Sequence, residues 1–200
     1  MTSLGQSFLG ALLIAALSTL GDFVWAQWIP AHRAVFGLAH GTLLCLGIGL
    51  YLGALRRRLG AGALGGAAIG FGAAAGYYLL APFVGYAAMF VLWMALWAAF
   101  ALLVGRGLGG RAASDATLLV RGALAAIGSG LAFYAVSGIW TRPKPGGPNY
   151  AYNFLCWTLA FLPGFLPLLA GKSLGTPDLE PDSAEDSPGP AGATGQPPLR

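Results

Sequence analysis

Six apolar stretches, each near the roughly 20 residues that a bilayer-crossing helix needs, follow one another with short polar breaks between them. They cover residues 6–28, 34–55, 59–80, 83–104, 117–139 and 151–171. In hydrocarbon no water satisfies a backbone N–H or C=O, so such segments must close their hydrogen bonds internally, as helices. The sequence therefore predicts an all-α polytopic membrane protein: a six-transmembrane-helix bundle over residues 1–172. Only 9% of the residues are charged, against about 25% in a typical soluble domain. A soluble core could not absorb that apolar excess. The first stretch has no basic region before it and runs past signal-peptide length, so it reads as a retained helix.

Each break has a chemical cause. Pro30, His32 and Arg33 make the first turn, and Arg56, Arg57 and Arg58 the second. Ala81-Pro82 is expected to open the fourth helix, because proline fits a first helical turn. Arg106, Gly109, Gly110 and Arg111 separate helices four and five, and Ser114 can cap the fifth. Thr141–Pro148 is a proline-rich polar loop. Residues 173–200 carry five of the seven acids and no aromatic residue, so they are expected to form a disordered, acidic, proline-rich tail.

Lys and Arg set the expected orientation. With the N-terminus inside, Arg56, Arg57, Arg58, Arg106, Arg111, Arg121 and Lys172 lie on the inner side, and Arg33, Arg142 and Lys144 on the outer side. Both termini are then cytoplasmic, and Trp25, Trp28 and Trp140 fall at the outer interface. The Gly/Ala-rich, Arg-over-Lys composition points to a bacterial inner membrane. The cations sit at helix ends and form no stripe, which argues against nucleic-acid binding. Arg121, one turn inside helix five, is expected to snorkel to the inner headgroups. Cys45 and Cys156 both lie in apolar segments and read as packing residues.

Glycines 62, 66 and 70 recur every fourth residue in the third segment. Small residues at that spacing let helix backbones approach closely. Helix 59–80 is therefore expected at the centre of the bundle or at the seam of a homo-oligomer.

Ionisable groups inside a membrane are costly, and each is a functional candidate. Asp22 is the only acid in a spanning segment and His40 the only histidine. Each lies nine positions from a turn centred near residue 31, so an antiparallel hairpin sets them at equal depth. Asp22 shares its face with Ser18 and Thr19. The pair can hold the hairpin together, or receive a ligand headgroup or a proton. A metal would need three or four ligands, and only His32 is nearby. No nucleophile motif or oxyanion element accompanies Ser18, so no catalytic residue and no cofactor is assigned.

Two irregular stretches lie at similar depth: Gly128-Ser129-Gly130 in helix five, and Pro163-Gly164 with Pro167 in helix six. Broken backbone at membrane depth persists only where protein or a cavity covers it. The two stretches either enclose a cavity or are kinks that improve packing. Trp93 and Trp97 in helix four, with Tyr134, Trp140, Tyr150, Tyr152, Asn153 and Trp157, could anchor and pack the helix ends. They could equally line a site for a flat apolar ligand, with Asn153, Tyr134 or the Asp22–His40 pair taking its polar end.

The stretch Tyr134-Ala-Val-Ser-Gly-Ile-Trp140-Thr141-Arg-Pro143, followed by Tyr152 and Trp157, resembles the end of the insulin-induced gene (Insig) family. There a late tyrosine of helix five leads to a Thr-x-Pro loop, then a tyrosine and a tryptophan open helix six. The resemblance implies a membrane-embedded pocket for a sterol or another lipid, a regulatory role toward membrane partners, and no catalysis. In this sequence the loop is longer and richer in proline, Asn153 stands where that family has arginine, and helices one to four match by hydropathy alone. Two functions follow as expectations. One is non-enzymatic binding of a lipid or sterol-like ligand. The other is a small proton-linked transporter or channel using Asp22 and His40.

Overall fold

The computed structural model describes residues 2–28, 33–109, 114–140 and 149–170, without the side chains of residues 25–28, 33, 115 and 137–140. The turn with Pro30 and His32, the Thr141–Pro148 loop and the tail 173–200 lie outside the described residues. The described residues form six α-helices: α1 (Ser3–Trp28), α2 (Arg33–Leu55), α3 (Leu59–Val84), α4 (Ala87–Leu102), α5 (Asp115–Trp140) and α6 (Tyr150–Leu169). A π-helical turn, Leu103–Gly107, extends α4. With that turn, all six are long and apolar enough to cross a membrane, and no strand occurs among the described residues. The protein is a multi-pass integral membrane protein.

The helices form a ring in chain order, closed by α6 packing on both α5 and α1. Trp97, Phe100, Phe161, Phe165, Ile48 and Leu52 fill its interior and are fully buried. Leu64, Leu79 and Phe83 are more than 70% exposed on the outside. In a bilayer such residues meet lipid tails, so their exposure carries no hydrophobic cost.

The break between α3 and α4 differs from the sequence expectation. Helix α3 runs through Pro82 and stops at Val84. Pro82 has no N–H to give the Tyr78 carbonyl, yet the helix carries on for two residues past it. The stop comes instead at Gly85, whose φ of 60° is left-handed and whose N–H closes on the Ala81 carbonyl at 2.8 Å. Helix α5 begins as expected: Ser114 Oγ accepts from the Thr117 N–H at 3.3 Å. At α6, Asn149 caps by accepting from the Tyr152 N–H at 3.0 Å.

Helix α3 is peripheral rather than central: its buried residues are Gly62, Gly66 and Gly70. The stripe they form is covered by α2 of the same chain. A Cβ on Gly66 would stand 2.9 Å from the Gly49 Cα, one on Gly62 2.8 Å from the Gly53 Cα, and one on Gly70 2.7 Å from the Cys45 Cβ. Gly41 faces Ala74 in the same register. Small residues every fourth position on both helices thus allow backbone contact without an apolar side-chain layer. Any oligomer seam on α3 would have to use its outer face, with Leu64, Gly72 and Leu79.

Candidate functional site

The bundle has two chemically different ends. The starts of α2, α4 and α6 and the finishes of α1, α3 and α5 gather aromatic and hydroxyl groups; the opposite end carries Arg56, Arg57, Arg58, Arg106 and Arg121. The candidate site lies toward the aromatic end, where α1, α2 and α6 meet.

Asp22 is its centre. The indole N–H of Trp157 on α6 donates to Asp22 Oδ2 at 2.8 Å. A hydrogen bond to a carboxylate in an apolar setting is stronger than the same bond in water. It ties α6 to α1 where the ring closes. The His40 ring lies against Gly21, in the space a side chain there would need, so it stands beside Asp22. Counting residues from the turn set Asp22 and His40 at one depth, and the His40 ring meets α1 at Gly21, the residue before Asp22. His40 also stacks on Phe36 at 5.9 Å.

Two hydroxyls flank this arrangement. Ser18, one turn before Asp22 on α1, is fully buried, and its Oγ has no hydrogen-bond partner among the described residues. Tyr150, two turns before Trp157 on α6, packs edge-on against Phe23 at 5.4 Å, and its buried hydroxyl also has no such partner. By contrast, Thr19 and Thr42 each donate to the carbonyl four residues back and are satisfied within their own helices. A buried hydroxyl without a partner costs roughly 1–3 kcal/mol. The two, one a turn before Asp22 on α1 and one at the start of α6 against Phe23, leave hydrogen-bonding capacity for an added group. Asn153 is buried on the same helix.

Trp157 also belongs to an aromatic stack that runs into the core. Trp93 stacks on Phe133 with centroids 4.4 Å apart, Trp157 lies 6.2 Å from Trp93, and Phe161 lies 5.6 Å from Trp157. The Trp93 indole N–H donates to Ser129 Oγ at 2.8 Å, and Ser129 donates to the Ala160 carbonyl at 2.6 Å. Below it, the Trp97 ring lies over Gly164, where any side chain would overlap it. The Trp97 N–H has no partner among the described residues. Gly128 faces Pro163, with a would-be Cβ 3.2 Å from the ring. The two irregular stretches of α5 and α6 therefore meet in direct contact, the packing alternative of the two that the sequence left open. The stretch around Pro163 is engaged by a hydroxyl from α5 and by an aromatic ring seated on its glycine.

The structure thus joins Asp22 to Trp157, sets His40 against the neighbouring Gly21, has Asn153 on the same stretch of α6, and places Trp93 and Trp97 in the packed core. Tyr134 is 67% exposed, edge-on to Phe90 at 5.0 Å, and Tyr152 is exposed too. The Trp140 side chain lies outside the described residues. Sequence reasoning missed Phe133 and Phe161 as stack members; nothing in their spacing separates them from ordinary core residues. Among the described residues no group of three His, Cys, Asp or Glu could hold a metal. Comparison of the chain with protein-family models, curated proteins and solved structures found no match to any of them.

Proposed function

We propose that this protein binds, without catalysis, a lipid or sterol-like amphiphile by its hydrogen-bonding end, which reaches Asp22 where α1, α2 and α6 meet. The observation that carries this reading is the pair of buried, unsatisfied hydroxyls of Ser18 and Tyr150 on either side of the Asp22–Trp157 bond. A ligand hydroxyl or amine can donate to the carboxylate and exchange hydrogen bonds with both. Half-exposed Phe23, packed on Tyr150, stands where an apolar body would leave toward lipid. The reading agrees with what the resemblance to the insulin-induced gene family implies, and a regulatory role toward membrane partners would follow from it. We place the protein in a bacterial inner membrane with both termini cytoplasmic, on the seven-to-three distribution of Lys and Arg.

The test is native mass spectrometry of protein extracted gently from its own membrane, with the retained lipid identified. One stoichiometric lipid class, lost in Asp22→Asn and weakened in Ser18→Ala and Tyr150→Phe, is the expected result. An empty protein, or a bulk-lipid mixture indifferent to these substitutions, would overturn the proposal.

A second reading draws on the His40 ring beside Asp22. A carboxylate and an imidazole at one depth could pass a proton in a small proton-linked transporter or channel. In proteoliposomes Asp22→Asn should then abolish a pH-gradient-driven flux; a flux left intact would remove this mechanism.

A further inference from the structure

The end of the bundle opposite Asp22 holds several arginines that the proposed function does not use. Helix α2 closes there in a six-residue turn. The Arg58 N–H returns to the Gly53 carbonyl at 2.7 Å and the Arg57 N–H to the Ala54 carbonyl at 3.2 Å, with Arg57 itself left-handed at φ 55°. This turn sets Arg56 and Arg58 on either side of the reversal. The Arg58 guanidinium crosses to the turn after α4, where a Cβ on Gly109 would stand 3.0 Å from its Cζ. Gly109 has φ 67°, so no side chain is favoured there, and the guanidinium packs over that glycine. Arg56 is partly buried, and its Nε is shut off from solvent without a hydrogen-bond partner among the described residues. Burial, and secondly the charge of Arg121 on α5, pull the Arg56 guanidinium below its ordinary pKa. Arg121, in the second turn of α5, lies at the same end of the bundle as Arg56 at the close of α2.

Like charges gathered at one end of the bundle, with the Arg56 Nε left without a partner among the described residues, call for an anion. A guanidinium offers a planar fork that fits the oxygens of a phosphate, and basic pockets between spanning helices suit anionic headgroups. We propose that Arg56, Arg58 and Arg121 form a phosphate-binding site at the mouth of the ring, opposite the Asp22 site. Its position just past the last apolar turn of α2 puts the phosphate at headgroup depth. Two sources share this chemistry: the headgroup of an anionic phospholipid, and a free phosphate from solution. The site is independent of the ligand proposed at Asp22.

The full chain would be placed in nanodiscs of mixed phosphatidylglycerol and phosphatidylcholine, and the lipid kept through detergent exchange counted by native mass spectrometry. In parallel, inorganic phosphate would be titrated against chloride at fixed ionic strength while thermal stability is followed. Retention of phosphatidylglycerol over phosphatidylcholine, falling about fivefold in Arg56→Gln and again in Arg121→Gln, supports the site with a lipid as its source. Arg57→Gln removes the same charge at the same depth and should leave that preference nearly intact. Arg56→Lys, which keeps the charge without the fork and so guards against a folding defect, should fall between. Stabilisation by inorganic phosphate without a lipid preference, abolished in the same two variants, supports the site with free phosphate as its source. No preference and no stabilisation, or equal losses in Arg57→Gln and Arg56→Gln, would overturn the proposal.

Discussion

The six-membered ring of Trp97 lies over the α-carbon of Gly164, so that α4 and α6 touch across the ring of helices at a place where α6 has no side chain. Trp97 and Gly164 are both buried, and the indole packs against Phe161, one turn before the glycine, and Phe165, the residue after it. A methyl group at that position would overlap the fully buried indole. Gly164→Ala should therefore destabilise the protein by about 1–3 kcal/mol, the usual cost of overpacking a close-packed site. Gly72, which faces open space on α3, is the control. Gly72→Ala should be neutral or stabilising by up to about 1 kcal/mol, since alanine is the better helix former. Unfolding in mixed micelles would measure both; equal effects would show that Trp97 is not seated on Gly164.

The α2–α3 contact makes a second prediction. A Cβ on Gly66 would meet the Gly49 α-carbon at 2.9 Å and the backbone of Cys45 as well. Backbone cannot swing aside as a side chain can, so Gly66→Ala should push the two helices apart. Cys45 lies in that seam and is 3% exposed. Its thiol should resist a membrane-permeant maleimide in the native protein and react several-fold faster in Gly66→Ala. Labelling of Cys156, buried on α6 away from the seam, should stay unchanged. Equal acceleration at both cysteines would mean general loosening rather than a parted seam.

How far these features could be read from the sequence depends on their range. Six spans follow from hydropathy, because lipid imposes one local rule on every segment. The depth match of Asp22 and His40 follows from counting outward from a turn. The stripe on α3 was legible as Gly62, Gly66 and Gly70, but its partner was not assigned, although Gly41, Gly49 and Gly53 repeat at multiples of four on α2. Pairing is a tertiary fact, and either a second copy or a neighbouring helix would satisfy the same spacing. The Trp157–Asp22 bond joins residues 135 positions apart, and nothing local marks it. It exists because α6 closes the ring on α1. Pro82 misled the helix boundary because α3 runs through it and stops only at Gly85, whose left-handed φ ends the helix.

Ser129 links three helices: it accepts from Trp93 on α4 and donates to the Ala160 carbonyl on α6. Removing the hydroxyl leaves an indole N–H and loosens the α6 backbone next to Pro163. Interhelical hydrogen bonds in membranes average about 0.6 kcal/mol, with upper values near 1.7. Ser129→Ala should cost toward that upper end, because both of its partners are buried. Trp93→Phe removes the donor, and a double-mutant cycle should give positive coupling between the two substitutions. Strict additivity would mean that the Trp93–Ser129 bond contributes nothing to stability, and that Ser129 acts through Ala160 alone.

Arg57 holds a left-handed conformation, φ 55°, at the position after α2 where glycine is the usual residue. The two backbone bonds that end the helix, from Arg58 to Gly53 and from Arg57 to Ala54, require that conformation. An L-residue with a Cβ gives up about 1–2 kcal/mol to adopt it. Arg57→Gly should thus stabilise the protein by about 1 kcal/mol, although it removes an exposed charge and lengthens no contact. The gain should be independent of salt, because it comes from backbone sterics and not from the lost charge. Arg57→Gln separates the two effects: it removes the same charge and keeps the Cβ, so it should show none of the gain. If Arg57→Gln stabilised as much as Arg57→Gly, relief of repulsion from Arg56 and Arg58 would be the cause. The strain at this turn would then be absent.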